Sequence, residues 1–244
     1  ECAGILFAEC MPKNDRASEL RQNITNGEWV VIATGRAKRP DDFKQERPIK
    51  KKLPKYKADC PFCALDKYPQ EADVLRLPDD PERWQVHVFP NKYPAFKPAE
   101  EFRMWRVGPY PAIEAVGYHE VVAPRDHNAV DGLASEQQLL WQLEALWLRY
   151  RQLRQQRSVN YIQIIKNHGE AAVGSLEHPH HQSFTVPVLP EDVERMLKTA
   201  ELYNKQHGRD PFSVVLEYER EQGERIVFEN KHFTAFCPFA SRLP

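Results

Sequence analysis

The segment His178-Pro179-His180-His181-Gln182 places three imidazoles and a carboxamide within five residues. In an extended segment, alternate side chains point to the same face, so residues 178, 180 and 182 would share a face with His180 at its centre. A neutral imidazole in such a position can act as a nucleophile or bind a metal. The competing interpretation is a histidine-rich loop that binds metal adventitiously, and the surrounding sequence favours chemistry instead.

The loop before this segment runs from Asn167 to Leu176 and contains two glycines. Gly174 and Ser175 offer backbone N–H groups and a hydroxyl, which are groups that can bind phosphate oxygens. An imidazole beside a phosphate-binding loop favours chemistry on a nucleotide.

A second motif, Cys-x-x-Cys, occurs at Cys60 and Cys63. Two thiolates at this spacing can hold one tetrahedral metal ion, which needs two further ligands from elsewhere in the chain. The competing interpretation is a thioredoxin-like redox pair, which normally begins a helix within a βαβ unit. The lysine-rich sequence before the motif and the segment Leu65–Pro69 after it are not typical of that setting, so we favour zinc.

The histidine segment resembles the active-site signature of the galactose-1-phosphate uridylyltransferases, the transferase branch of the histidine triad superfamily. The signature is His-Pro-His-x-Gln, with Asn167 eleven residues before its first histidine. Further blocks resemble the same family in the family's order, namely Trp29–Ala33 with Arg36–Pro40, Cys60–Cys63, Phe89–Pro94 and Gly117–Val122.

The resemblance implies a role for each of these motifs. His180 would be the covalent nucleophile, and Gln182 would assist it. The implied substrate-binding residues are Asn91, Asn167, Gly174, Ser175 and Gln182. The implied zinc ligands are Cys60, Cys63, His127 and His178. Such a closed site with four protein ligands would be structural. It would fix His178 and thereby aim His180.

Gln182 stands where the hydrolases of the superfamily carry a third histidine. A carboxamide can donate a hydrogen bond but cannot act as a general acid, so Gln182 suits a leaving group that needs no proton. A sugar phosphate is such a group, because its second pKa is about 6. The implied reaction is a double displacement that moves a nucleoside monophosphate from a nucleotide sugar to a sugar 1-phosphate through a nucleotidyl-histidine.

The nucleotide and the acceptor are less constrained by the sequence. We expect a uridylyltransferase that uses UDP-glucose and galactose 1-phosphate. Lys92, however, follows Asn91 where the best-known uridylyltransferases carry an acidic residue, and lysine cannot accept hydrogen bonds from ribose hydroxyls. The alternative is an adenylyltransferase similar to ADP-glucose phosphorylase, with inorganic phosphate as acceptor. A non-catalytic, zinc-stabilised nucleotide-binding module is the alternative of a different class.

The composition argues against several classes of partner. The 34 basic and 35 acidic residues nearly cancel, so no global field favours nucleic acid or a membrane. The basic segment Arg47–Lys57 is expected to be a solvated loop. Five cysteines, an odd number without disulfide-like spacing, favour a reducing, cytoplasmic compartment. The family resemblance also implies a homodimer.

The elements that would position the motifs follow from the hydrophobic pattern. Ser135 and Gln138 form a capping box that begins an amphipathic helix ending near Gln156. Strands are predicted over residues 29–33, 85–89, 118–123 and 159–166. Beyond the histidine segment we predict a helix over 191–207 and a strand meander over 213–219, 225–228 and 232–237. His87 and His119 fall in predicted strands and are expected to be ordinary core or edge residues.

These elements predict an α+β fold with a mainly antiparallel sheet and packed helices. The resemblance implies that this fold is a histidine triad-like half-barrel. We expect an irregular N-terminal arm over residues 1–18 and an N-terminal lobe with the zinc and catalytic motifs over 19–190. Residues 191–244 would form the helix and strand meander that lead into a truncated second lobe.

Overall fold

The computed structural model describes residues 19–32, 53–130, 134–167, 172 and 176–242. The predicted arm over residues 1–18, the lysines at 50–52, and Gly174 and Ser175 lie outside these residues. In chain order the elements are β1 (Glu19–Gln22), β2 (Trp29–Ile32), β3 (Leu75–Leu77), β4 (Val86–Pro90), β5 (Met104–Val107), β6 (Tyr110–Ile113), β7 (His119–Pro124), α1 (Glu136–Leu153), β8 (Tyr161–Ile165), β9 (His181–Val186), α2 (Glu191–His207), α3 (Pro211–Gln222), β10 (Ile226–Glu229) and β11 (Thr234–Phe236).

The chain divides into two compact units. The larger unit is Ile49–Pro190, and the smaller unit combines Glu1–Pro48 with Glu191–Pro244. The hairpin of β1 and β2 therefore groups with the C-terminal elements, whereas we predicted it within a lobe over residues 19–190. A contact between distant parts of the chain explains this grouping. Arg21 donates a hydrogen bond of 2.9 Å to the backbone carbonyl of Phe239, and its guanidinium lies over the Phe239 ring.

The larger unit is built on a five-stranded antiparallel sheet in the order β3-β4-β7-β9-β8. Strands β4 and β7 are almost wholly buried, because both faces of the sheet are covered. On one face, a core cluster joins the sheet to α1 through Val86, Val88, Val122, Ala145 and Leu146. On the other face, a second cluster joins the sheet to the Cys-x-x-Cys motif through Cys60, Phe62, Phe89, Val121 and Ala123. Alternation along each strand thus separates a helix-covered face from the face that carries the chemical motifs.

Helix α1 begins with the predicted capping box. The backbone N–H of Gln138 donates to the Ser135 hydroxyl at 3.3 Å, and the backbone N–H of Ser135 donates to the Gln138 carboxamide at 2.9 Å. Arg149 on α1 donates to the carboxylate of Glu120 on β7, which is 2% exposed. This buried ion pair fixes the helix against the central strand of the sheet.

The predicted α+β fold class, with its mainly antiparallel sheet and packed helices, is confirmed, and β2, β4, β7 and β8 lie where strands were predicted. The predicted helix over 191–207 is confirmed as α2. The prediction of a strand over 213–219 is wrong, because these residues lie within helix α3. Asp210 caps this helix by accepting the backbone N–H of Ser213 at 2.9 Å, and Pro211 occupies its first turn. Val214 and Val215 are β-branched and favour a strand by propensity. The helix start signal at Asp210 and Pro211 outweighs that preference.

Strands β10 and β11 pair antiparallel and confirm the last two predicted strands. Gly223 ends α3 in the left-handed conformation, with a φ of +67°, and so turns the chain towards β10. Among the described residues, no helix combines the length and apolar character that crossing a membrane requires.

Candidate functional site

The four residues predicted to bind metal lie together at one end of two neighbouring strands. His127 follows β7 by three residues, and His178 precedes β9 by three residues. Cys60 and Cys63 lie in consecutive turns before β3, closed by a hydrogen bond of 3.2 Å from the Cys63 N–H to the Cys60 carbonyl. One ligand atom from each residue lies within 4.8 Å of the others. Because the cysteines do not begin a helix, the thioredoxin-like alternative is disfavoured.

Three sulfur–nitrogen distances within this cluster fit a tetrahedral ion. The Sγ of Cys63 lies 3.3 Å from Nδ1 of His127 and 3.4 Å from Nδ1 of His178, and the Sγ of Cys60 lies 3.6 Å from the latter. A tetrahedron with Zn–S bonds of about 2.3 Å and Zn–N bonds of about 2.1 Å has S–N edges of about 3.6 Å. The donor set of two thiols and two imidazoles is therefore compatible with zinc.

The hydrogen bonds around the two imidazoles orient their Nδ1 atoms towards the thiols. His178 donates its Nε2–H to the carbonyl of Pro124 at 2.8 Å, which leaves the lone pair on Nδ1. Nε2 of His127 lies 3.5 Å from the carboxylate of Glu177, which in turn binds the ammonium of Lys57 at 3.0 Å. Burial lowers the pKa of His178 to about 4, so its imidazole is neutral at physiological pH.

The Cys63 thiol lies in an environment that disfavours its anion. Burial, reinforced by the neighbouring Cys60, raises the pKa of Cys63. A thiol that coordinates a metal ion loses its proton, so a cation bound here would favour the thiolate that burial disfavours at Cys63. Zinc would supply that charge and join the turn of the Cys-x-x-Cys motif to the ends of β7 and β9.

His180 is buried, with 7% of its surface exposed. Its Nδ1 lies 2.8 Å from the carbonyl oxygen of His178, which can only accept a hydrogen bond, so the proton of the neutral ring is on Nδ1. The lone pair is consequently on Nε2. The ring of Phe62 packs edge-on against both His178 and His180, with centroids 5.7 Å and 5.2 Å away. His180 is therefore linked to the metal cluster in two ways. The backbone carbonyl of His178 binds its ring, and Phe62 contacts both imidazoles.

Gln182 and Asn91 meet at a residue that was not predicted to belong to the site. The Oε1 of Gln182, on β9, lies 2.8 Å from Nε2 of His119 on β7. The Nδ2 of Asn91, which follows β4, lies 3.1 Å from the same nitrogen. The sequence contained one signal for His119, because alternation along β7 puts residues 119, 121 and 123 on one face, and that face also carries the second core cluster.

Asn167 is exposed and lies two residues beyond β8. The last residue pair between β8 and β9 is Ile165 with Gln182. Asn167 therefore lies beyond the end of β8 that is nearer to His180. The other two predicted substrate-binding residues, Gly174 and Ser175, fall outside the described part of the chain.

Two proteins of known name resemble this chain over most of its length. The chain is 33% identical over 230 residues to a galactose-1-phosphate uridylyltransferase of Thermotoga maritima, and this match covers 93% of the chain. It is 30% identical over 237 residues to an ADP-glucose phosphorylase of Arabidopsis thaliana, which covers 94% of the chain. The chain spans 64% of the length of each of these relatives.

The crystal structure of an ADP-glucose phosphorylase from Arabidopsis thaliana with bound ADP-glucose has a similar fold. Its TM-score is 0.68 at 26% sequence identity, over 93% of this chain and 65% of that one. Residues 10–190 match the sequence profile described as galactose-1-phosphate uridyl transferase, N-terminal domain. This match covers most of the chain, which therefore belongs to the galactose-1-phosphate uridyl transferase family.

Proposed function

We propose that the protein is a nucleotidyltransferase that moves a nucleoside monophosphate from a nucleotide sugar to a sugar 1-phosphate through a covalent intermediate on His180. The observation that carries the proposal is the hydrogen bond of 2.8 Å from Nδ1 of His180 to the carbonyl of His178. It leaves the nucleophilic lone pair on Nε2 of a buried, oriented imidazole, which is what attack on a phosphorus atom requires.

The reaction consists of two displacements at the same phosphorus. In the first, the lone pair on Nε2 of His180 forms a bond to the α-phosphorus, and the bond from phosphorus to the sugar 1-phosphate oxygen breaks. The bonding electrons leave with that oxygen, which needs no proton because the second pKa of a sugar phosphate is about 6. In the second, a phosphate oxygen of the acceptor bonds to phosphorus, and the electrons of the N–P bond return to Nε2.

Two groups near the ring would assist these steps. As Nε2 forms its bond, the imidazole becomes positively charged, and the carbonyl of His178 stabilises that charge through Nδ1–H. Gln182 would donate its carboxamide N–H to a phosphoryl oxygen, where charge is redistributed in the transition state. Asn91, Asn167, Gly174 and Ser175 would bind the rest of the nucleotide and the phosphates.

Zinc held by Cys60, Cys63, His127 and His178 would have a structural role. The ion would lock the backbone at His178, and the carbonyl of that residue is the group that orients His180. The chain's own residues then carry out the transfer, because a closed site with four protein ligands has no open position for substrate.

The first candidate for the donor is UDP-glucose, with galactose 1-phosphate as acceptor, which the similarity to the Thermotoga maritima enzyme supports. The second is ADP-glucose with inorganic phosphate, which Lys92 and the similarity to the Arabidopsis thaliana phosphorylase support. A homodimer in the cytoplasm remains part of the proposal. The family resemblance implies the dimer, and an odd number of cysteines without disulfide-like spacing supports a reducing compartment.

Isotope exchange tests the covalent mechanism. We expect the full chain, given UDP-glucose and labelled glucose 1-phosphate without any other acceptor, to move label into UDP-glucose, because the first displacement is reversible. The same exchange with ADP-glucose measures the second candidate. A non-catalytic nucleotide-binding module, or an enzyme that needs both substrates bound together, would give no exchange with either nucleotide, and that result would contradict the proposal.

A further inference from the structure

We infer that His119 is a positioning residue that fixes which end of the Gln182 carboxamide faces the substrate. This inference rests on the proposed function, because it concerns the residue that assists His180. His119 lies on β7, beside β9, and is 8% exposed. Its two ring nitrogens have different partners, and those partners determine where its proton lies.

The first partner is a backbone N–H. The amide nitrogen of Ala95 donates to Nδ1 of His119 at 3.1 Å. A backbone N–H can only donate, so Nδ1 must be the nitrogen that carries the lone pair. The neutral ring of His119 therefore carries its proton on Nε2.

The second partner is the side chain of Gln182. Nε2–H of His119 donates to Oε1 of Gln182 at 2.8 Å. If the carboxamide were rotated by half a turn, its NH2 group would face the Nε2–H of His119, and neither group could accept a hydrogen bond. The carboxamide therefore keeps its oxygen on His119, and the NH2 group is the end that remains for a ligand.

The surroundings of His119 hold its ring in place. The ring packs against Phe184 of β9 at a centroid distance of 4.2 Å, and the backbone carbonyl of His119 accepts the backbone N–H of Asn91 at 2.8 Å. Oδ1 of Asn91 accepts the backbone N–H of Tyr93 at 2.9 Å, so the NH2 group of Asn91 faces Nε2 of His119 at 3.1 Å. Two donors cannot bond to each other, so Oε1 of Gln182, at 2.8 Å, is the acceptor of the Nε2 proton. A buried ring with both nitrogens constrained is a rigid reference for the Gln182 carboxamide.

This orientation matters because the transferred phosphoryl group is an anion. With its NH2 group towards the substrate, Gln182 donates a hydrogen bond to a phosphoryl oxygen. In the opposite orientation, the carboxamide oxygen of Gln182 would face the phosphoryl oxygen, and neither atom could donate. Loss of the contact with His119 is expected to slow each half-reaction by about 10-fold, which corresponds to one orienting hydrogen bond. Both half-reactions should slow alike, because the same phosphoryl group is transferred in each.

Two substitutions of His119 separate its two nitrogens. His119→Asn ends near the position of Nδ1, so it keeps an acceptor for the Ala95 N–H and loses the donor to Gln182. His119→Gln extends to the position of Nε2, so its NH2 group can replace that donor. In the full chain we expect His119→Asn to lower kcat for exchange about 10-fold with a smaller change in KM, and His119→Gln to restore most of the rate.

The control is the same pair of substitutions in a Gln182→Ala background. We expect His119→Asn to cause no further loss there, because the carboxamide that it orients is absent. An equal loss in both backgrounds, or equal rates for the Asn and Gln variants, would mean that His119 is only structural and would overturn the inference. A wild-type chain that shows no exchange would overturn the proposed function and this inference with it.

Nitrogen NMR of the resting protein provides a test that is independent of activity. We expect the His119 ring to carry its proton on Nε2, with a hydrogen bond from that proton to the Gln182 side chain. A ring protonated on Nδ1 would overturn the inference even if the protein is an active transferase.

Discussion

Replacing Gly117 by alanine is expected to force apart the two strands that carry His119 and Gln182. Gly117 precedes β7 and has a φ of +155°, which residues with a side chain rarely adopt. A Cβ at this position would lie 2.1 Å from the carbonyl oxygen and 2.8 Å from the hydroxyl of Thr185 on β9. The nearest obstacle is backbone, which no rotamer change can move, so the strands must separate by roughly 1 Å.

The cost follows from the backbone conformation and from the overlap. The unfavourable φ contributes about 1 to 2 kcal/mol. Overpacking against the β9 backbone contributes about 1 to 3 kcal/mol, together with the loss of two hydrogen bonds between Tyr118 and Thr185, of 2.7 Å and 2.9 Å. We therefore expect Gly117→Ala to lower the free energy of unfolding of the larger unit by about 4 kcal/mol and its Tm by about 10 °C.

Gly108→Ala is the matched control. Gly108 also has a positive φ, of +58°, in the turn between β5 and β6, but a Cβ there would meet nothing within 4 Å. We expect this variant to lose about 1 kcal/mol, from backbone strain alone. Thermal melts by circular dichroism, with the exchange assay on the folded protein, compare the two. Equal Tm values for the two variants would refute the close approach of β7 and β9, and with it the contact of His119 with Gln182.

Three further predictions concern the metal, the carboxamide and the donor. The purified full chain should contain about one zinc ion, which Cys60→Ser should lose and Cys237→Ser should retain, and metal analysis showing full zinc in Cys60→Ser would contradict the assigned ligands. Gln182→Ala should slow both half-reactions by about 10²-fold in single-turnover assays, whereas the matched Gln163→Ala on β8 should not, and equal rates would remove Gln182 from the mechanism. UDP-glucose should release glucose 1-phosphate faster than ADP-glucose in side-by-side assays, and a strong preference for ADP-glucose with inorganic phosphate would replace the uridylyl assignment.

The motifs that are local in sequence were the ones that could be predicted. The Cys-x-x-Cys pair has a spacing that limits its chemistry, and the family resemblance supplied His127 and His178 as the two further ligands, which the structure places beside the cysteines. The start of helix α1 could be predicted from Ser135 and Gln138, because a capping box is a local signal.

The features that depend on contacts between distant residues could not be predicted in the same way. His119 belongs to the site only because β7 and β9 pair with Val121 opposite Gln182, and a single sequence does not show the register between strands. The hairpin of β1 and β2 groups with the C-terminal elements through Arg21 and Phe239, which are 218 residues apart. Helix α3 was mistaken for a strand because β propensity is a weaker guide than a helix cap.

The most direct test of the central claim is the intact mass of the full chain after incubation with UDP-glucose and no acceptor. We predict a mass increase of one uridylyl group, that is uridine monophosphate less water, per active site, labile in acid, because the nucleotidyl group stays on His180 until an acceptor arrives. His181 is the neighbouring histidine on β9 and serves as the control. The His181→Gly variant should still acquire the adduct, whereas the His180→Gly variant should not. An adduct that persists in His180→Gly would place the nucleophile elsewhere and contradict the mechanism.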